Sequence, residues 1–414
     1  MRWLEEGLRV ALQMDGRALL EGLLSDPGLS VPEDEPRPGE KTFQGRERTV
    51  QSLFGPLTLR RRYYYDESKA PGACGRCPLD KALGLMDDFT PALARLCARA
   101  GAQAPFGEAS DDLREMAGVH VSGRQVQRLM QTLGPRLRET LKRLPREEPP
   151  PHIPIFYVIA DGTGVPMAKA QLQGVKGRAP DGQAHTREAK LGCVFTQTGT
   201  DDEGWPVRDE NSTSYISTFC EASVFGTQLL AEARRRGIDR AATTVVLGDG
   251  AAWIWELSRV NFEGAVEILD FYHASEHLAA LARLVEAPDS EGFDLRFERW
   301  RSQIQNSQLD LILEDARKAL DQGEANPGTI EEANKEMAYL EKNRARLDYA
   351  SFRARGLFIG SGVVEAGCKT IVGQRLKCSG MFWGKTGAQN VLSIRCAIKS
   401  PGQFDRFWQA HAAA

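Results

Sequence analysis

Two short β-branched runs in this chain each finish on Asp-Gly: FYVIADGTGVPM, with Asp161, and TTVVLGDGAAWIW, with Asp249. Runs of that length and composition read as buried strands. The Gly after each acid lets the chain turn and lets a ligand approach the backbone closely. Taken singly, a strand-end Asp is an ordinary turn former. A third acid, Glu365 in FIGSGVVEAGCK, opens a helix after a Gly-Ser-Gly loop, and the three together restrict the fold much more than any one does.

From residue 155 the pattern reads strand (IFYVIAD), a long Gly- and Lys-containing loop, strand (KLGCVFTQ), strand (TSYISTFC), helix, strand (TTVVLGD), helix, strand (AVEILD). That order predicts an α/β fold with an RNase H-like core, formed by 152–277 and 357–400 and interrupted by a charged α-helical insertion over 278–356. Upstream, 1–84 predicts an N-terminal amphipathic helix (Leu4, Leu8, Ala11, Leu19, Leu23), a hairpin about Gly55-Pro56 and a Cys74-Gly-Arg-Cys77 pair. A CxxC needs a second pair to make a zinc ribbon. Cys97 and His120 are the nearest later donors, so structural zinc at Cys74 and Cys77 is not expected. Residues 85–145 predict a helical region with a helix-turn-helix: DDLREMAGV, a turn at Gly118, and a helix capped by Ser122 that carries Arg124, Gln125, Gln127 and Arg128. Such side chains suit base edges or phosphates in a major groove. Linkers are expected at SDPGLSVPEDEPRPGE and LPREEPPPHIP.

At 414 residues the chain exceeds what one hydrophobic core organises. No run approaches the ~20 apolar residues of a membrane span. The acids in MRWLEEGLRV stand where a signal peptide would be apolar, so a cytoplasmic protein with reduced cysteines is expected. A net charge of −3 gives no overall attraction to a polyanion, but a local patch suffices to bind phosphates. One stretch stands out. Between Ala366 and Phe404 there is no Asp or Glu, while Lys369, Arg375, Lys377, Lys385, Arg395 and Lys399 all fall inside it. The Arg runs at 60–62 and 234–236 are weaker signals, the second reading as a cationic helix C-terminus.

Carboxylates at adjacent strand ends, joined by one from a helix, can hold two Mg²⁺ or Mn²⁺ ions about 3.5–4 Å apart, the arrangement for in-line attack on a phosphodiester. Hard cations require oxygen donors, which explains Asp and Glu at these positions rather than Cys or His.

Four motifs resemble those of DDE-type insertion-sequence transposases, specifically the ISKra-like group related to the mutator-like superfamily. They are ADGTGVPM (160–167), LGDGAAWIW (247–255), DFYHASEHL (270–278) and SGVVEAGCKTIVGQRLKCSGMFW (361–383), with RxYY and PLDxxLGL between Arg62 and Leu85 extending the likeness. The resemblance implies a bacterial, nucleoid-associated enzyme that cuts and joins double-stranded DNA at an element's terminal inverted repeats and at a target, as a homo-oligomer on DNA. It implies Asp161 bridging two metals, Asp249 and Glu365 holding one each, and Asp270 with His273 in support. Lys369, four residues after Glu365 and so on the same helical face, would contact a phosphate, with Arg375 and Lys377 extending the track. Trp383 would stack on an unpaired base, against the plainer expectation that it packs as core. The net acidity departs from the basic character of many transposases.

Two other readings compete. His273-Ala-Ser-Glu276-His277 fits HxxEH, the inverted zinc-peptidase motif, with two His one turn apart and Glu276 as general base. It leaves both Asp-Gly turns and the acid-free stretch without a role. A non-catalytic, transposase-derived DNA-binding protein is the other, although all three acids are present. A general RNase H-like nuclease would use the same metal site.

Overall fold

The computed structural model describes residues 1–414 except 27–30, 71, 144–149, 151, 176–183, 287–289, 324–325 and 413–414. Most of the linker 144–154, and part of the one beginning at Ser25, lie outside the described residues.

The chain forms two units, one of residues 1–144, 374–398 and 402–414, the other of 145–373 and 399–401. The first begins with α1 (Arg2–Leu24), β1 (Lys41–Ser52), β2 (Gly55–Tyr65), β3 (Gly75–Arg76) and α2 (Pro78–Ala82). β1 and β2 pair antiparallel with Ser52 opposite Gly55, so the turn is Leu53-Phe54, and Gly55 (φ +94°) opens the second strand instead of forming the turn. Val50, Leu57 and Leu59 make the core of the hairpin, and α1 packs Leu20 and Leu24 onto it. The expected apolar face of α1 is therefore corrected: Leu4, Leu8, Leu19 and Leu23 are exposed. Cys74 and Cys77 are half-buried free thiols, and Cys97 sits wholly inside a helix, where burial pushes its thiol up to about 12.

α3 (Pro91–Gln103), α4 (Phe106–Ala117) and α5 (Gly123–Arg143) follow and pack on one another. Gly118 ends α4 in the left-handed conformation (φ +67°), the usual glycine C-cap. Ser122 and Gln125 then form a reciprocal cap: the Gln125 N–H donates to the Ser122 Oγ (3.3 Å), and the Ser122 N–H donates to the Gln125 Oε1 (3.0 Å).

The second unit holds β4 (Ile153–Pro166), β5 (Thr186–Gln197), a small ribbon of β6 (Gly199–Thr200) and β7 (Pro206–Val207), β8 (Ser214–Thr218), α6 (Ala222–Arg235), β9 (Ala241–Gly248), α7 (Ala252–Asn261) and β10 (Val266–Leu269). The sheet runs β10-β9-β4-β5-β8. β10, β9 and β4 are mutually parallel, and β5 is antiparallel to both β4 and β8. It is a five-stranded mixed sheet in an α/β fold. α8 (Phe271–Val285), α9 (Glu291–Gln305), α10 (Leu309–Gln322), α11 (Pro327–Lys342) and α12 (Tyr349–Ala354) form the helical segment. Asp315 of α10 binds the indole N–H of the fully buried Trp300 at 2.9 Å and pairs with Arg296 at 2.6 Å, tying α9 to α10.

The chain re-enters the sheet region at Gly356. Its carbonyl accepts from the Gln197 amide (2.8 Å), and the Phe358 N–H donates to the buried Tyr157 hydroxyl (3.1 Å), which itself donates to Gln197 (2.6 Å). α13 (Gly362–Gly367) continues into one π-helical turn, Cys368–Gly373. Then α14 (Gln374–Leu376), α15 (Lys385–Lys399) and α16 (Gln403–Ala412) complete the chain.

Residues 374–398 thus belong with the N-terminal helices and not with the sheet, which corrects the expected domain division. The reason lies in α3. Its last carbonyls have no intrahelical donors, and two arginines supply them: Arg375 Nε donates to Gly101 O at 3.1 Å, and Arg395 donates to Ala102 O.

Candidate metal centre

β4 does not end at Asp161 as the Gly-rich sequence predicts; it continues to Pro166, paired with β5 throughout. Gly162 and Gly164 serve the sheet. A Cβ on either would lie 2.4 Å from the Glu188 carboxylate or 2.8 Å from the Thr186 hydroxyl. What Asp161 marks is the end of its parallel neighbour. Ala160 stands opposite Gly248, the last residue of β9, so Asp161 and Asp249 are the next residues along two adjacent strands. Neighbouring strands lie about 4.8 Å apart. The two carboxylates therefore start from adjacent backbones.

Glu365 reaches the same place from a helix. α13 packs on the sheet face that carries Asp161 and its cross-strand partner Leu191, and a Cβ on Gly367 would meet Leu191 and Tyr215 at 2.9 Å each. One residue on, the Cys368 thiol donates to Asp161 Oδ2 at 3.1 Å. Glu365 accepts from the Ser361 hydroxyl (3.1 Å), and Asp249 accepts from the Ala251 N–H (2.9 Å). Asp270, almost fully buried, caps α8 by accepting from the His273 N–H (2.7 Å). Its other oxygen accepts the Ser361 N–H, and the Phe271 N–H donates to Ile359 O (2.9 Å). The loop leading into the Glu365 helix is thereby fixed to the end of β10.

Burial raises the Asp161 carboxyl above the ordinary carboxylate value. Asp249 and Glu365 push it further up, while the Cys368 thiol and the Gly162 N–H oppose. Asp249 and Glu365 thus both act on Asp161, and the all-oxygen chemistry of the three suits a hard divalent cation. Among the described residues no three His, Cys, Asp or Glu side chains are grouped closely enough to hold an ion.

The raised Asp161 gives a testable sign. A carboxyl whose value is higher in the fold than in the unfolded chain makes the fold less stable as pH rises from about 4 through that higher value. In chelator, the protein is therefore expected to melt lower at pH 7 than at pH 4.5 on account of this group, and Asp161→Asn to melt higher than the parent at pH 7. Added Mg²⁺ at ten times its Kd should return about 1.4 kcal/mol to the parent and much less to the variant. A variant that melts below the parent in chelator at pH 7 contradicts this electrostatic account.

The remaining expected residues are distributed differently. Lys369 is exposed on the π-helical turn, and Lys377 is exposed beyond it. Arg375 is not on a surface track: it is completely buried between the rings of Phe106 (4.7 Å) and Trp383 (5.0 Å), and burial lowers it to about 10. Trp383 is no stacking platform either, because it is 9% exposed and its indole N–H donates to Leu376 O (3.1 Å). Arg395 is also buried, so the acid-free stretch divides into core arginines and exposed lysines. On α5, Arg124 and Gln127 are exposed, Gln125 is taken up by the cap, and Arg128 pairs with Asp88 at 2.8 Å.

The HxxEH histidines face carboxylates and a ring. His277 Nδ1 lies 2.6 Å from Glu336, its ring stacks on Tyr339 at 3.8 Å, and His273 Nδ1 lies 3.2 Å from Glu276. Tyr339, whose hydroxyl donates to Asp249 O at 3.1 Å, and Cys368 were not expected at the site. Cys368 was available from its spacing to Glu365, whereas Tyr339 carries no local signal.

No helix among the described residues is long and apolar enough to cross a membrane. No family model matches the sequence, and no curated protein matches it. Among solved structures, the chain is similar to one titled "Drosophila P element transposase strand transfer complex", at 11% identity and a TM-score of 0.36, over 77% of this chain and 93% of that one.

Proposed function

We propose that the chain is a DDE-type transposase of the ISKra-like kind, with an RNase H-like core, that cuts and joins DNA strands at the ends of a bacterial insertion sequence. The observation that carries the reading is the placement of Asp161 and Asp249 just past the last pair of two adjacent parallel strands, with Cys368, three residues after Glu365, donating to Asp161. Asp161, Asp249 and Glu365 would hold two Mg²⁺ or Mn²⁺ ions. Bound there, the ions would supply Lewis-acid polarisation of the phosphodiester and activation of water or a 3′-hydroxyl.

The chain's own residues do the rest. Asp270 holds the Ser361 turn so that Glu365 faces the strands, and the exposed Lys369 lies one helical turn on, suited to a phosphate. Exposed Arg124 and Gln127, on the second helix of the helix-turn-helix, are suited to base edges.

The test is strand cleavage and joining on duplexes that carry the short inverted repeats flanking the gene. Activity should be lost on dialysis against chelator and restored by Mg²⁺ or Mn²⁺, since oxygen donors hold these ions weakly. Arg124→Ala should relax discrimination between end and random duplex. Lys369→Ala should weaken both equally and make the salt dependence shallower by about one unit of slope. Zinc that persists with Cys74 and Cys77 replaced, and disappears with His277→Gln, would instead establish the peptidase reading.

A further inference from the structure

The helical segment between Asp249 and Glu365 does more than separate them in sequence. Asp249 lies just past the ladder: Asp270 N–H donates to Gly248 O (2.8 Å), and the carbonyl that follows has no strand partner. A carbonyl in that position needs another donor. Tyr339 of α11 provides it, at 3.1 Å. The turn below is made for that hydroxyl. Gly250 has φ +92°, and a Cβ there would stand 1.9 Å from the Tyr339 oxygen. The Tyr339 ring is in turn fixed from its face by His277, with centroids 3.8 Å apart and planes 22° from parallel. His277 is fixed by Glu336, one turn before Tyr339 on the same helix.

We propose that Tyr339 is a positioning residue for the Asp249 carboxylate, and that His277 and Glu336 hold it in place. The physical basis is the Asp249–Gly250 peptide. With glycine on one side it rotates at little cost, and a change at Gly250 would carry away the Ala251 N–H that the Asp249 carboxylate accepts at 2.9 Å. A hydroxyl bonded to that carbonyl, resting on Gly250, blocks the rotation. Tyr339 touches no reacting atom in this scheme. It acts through Asp249, as an outer-shell partner acts through a ligand. The inference rests on the reading of Asp249 as a metal ligand.

The test is Mn²⁺ binding to the full-length protein, followed by the electron paramagnetic resonance signal of the free ion, with no need for turnover. Three proteins are compared: the parent, Asp249→Ala and Tyr339→Phe. The phenylalanine keeps the ring on His277 and removes only the O–H. Mn²⁺ affinity is expected to fall about 10-fold in Tyr339→Phe, the low end for loss of an outer-shell partner, with affinity for duplex DNA unchanged. Glu336→Gln, which loosens the ring but keeps the hydroxyl, should give a smaller fall in the same direction. Parent-like Mn²⁺ affinity in Tyr339→Phe, alongside a loss in Asp249→Ala, overturns the positioning role alone. Parent affinity no better than that of Asp249→Ala overturns the metal-site reading, and the positioning role with it.

Discussion

Asp249→Ala is expected to reduce strand cleavage and joining by more than roughly 100-fold, the scale on which loss of one group stabilising developing charge is felt in enzymes, while duplex DNA still binds. Asp161→Ala and Glu365→Ala should behave alike, because each removes an oxygen donor that no neighbour replaces. None of the three side chains belongs to the hydrophobic core, so the melting temperature should fall little, and for Asp161 the removal of a desolvated and repelled charge favours the fold. Asp270→Asn should be different. Its two oxygens accept the His273 and Ser361 N–H groups, and an amide retains only one acceptor. It should lose stability and activity together. Cleavage by Asp249→Ala at the parent rate, checked by gel on end-labelled duplex, would remove the proposed centre.

The second large effect is expected at a residue with no side chain. Gly367 lies where α13 presses on β5 and β8, and a Cβ there meets Leu191 and Tyr215 at 2.9 Å. Gly367→Val adds two further methyls to that contact and should cost about 1–3 kcal/mol by overpacking. More telling is which activity is lost. The helix must lift off the sheet, taking Glu365 and Cys368 away from Asp161. Melting measured beside cleavage should show activity falling far more than the remaining folded fraction explains. Gly362→Val is the control: it sits at the start of the same helix, where a Cβ would have nothing within 4 Å, and it should retain both properties. Equal behaviour of the two variants would mean that close packing of α13 does not set the site.

What could be read from the residues was local. The strand and helix order of the sheet unit followed from apolar runs, and the cap at Ser122 from a Ser followed three residues later by Gln. The acids at 161, 249 and 365 were marked by the glycines around them, even though Gly162 turned out to serve a continuing strand. Long-range placement was not readable. Arg375 and Lys377 are alike in a string of letters, yet one is buried between two rings and the other is exposed, because α3 offers carbonyls to the first. The apolar side chains of α1 fail for a related reason: period alone does not say which edge of a helix meets a hairpin, and Leu20 and Leu24 were chosen over their neighbours Leu19 and Leu23. Tyr339 reaches Asp249 from ninety residues away, a distance over which no periodicity carries information.

The arginines that finish α3 also set an order of events on the ribosome. Gly101 and Ala102 are made early, but the side chains that cap them arrive with residues 375 and 395. At about 5–20 residues per second, the stretch from 144 to 374 takes roughly ten to fifty seconds to synthesise. α3 therefore waits, with open carbonyls at its end, until the intervening sheet unit has emerged and had time to fold. A nascent chain arrested before residue 374 should be cut readily by protease within 91–143 and resistant within the sheet strands, and only release of the finished chain should protect both.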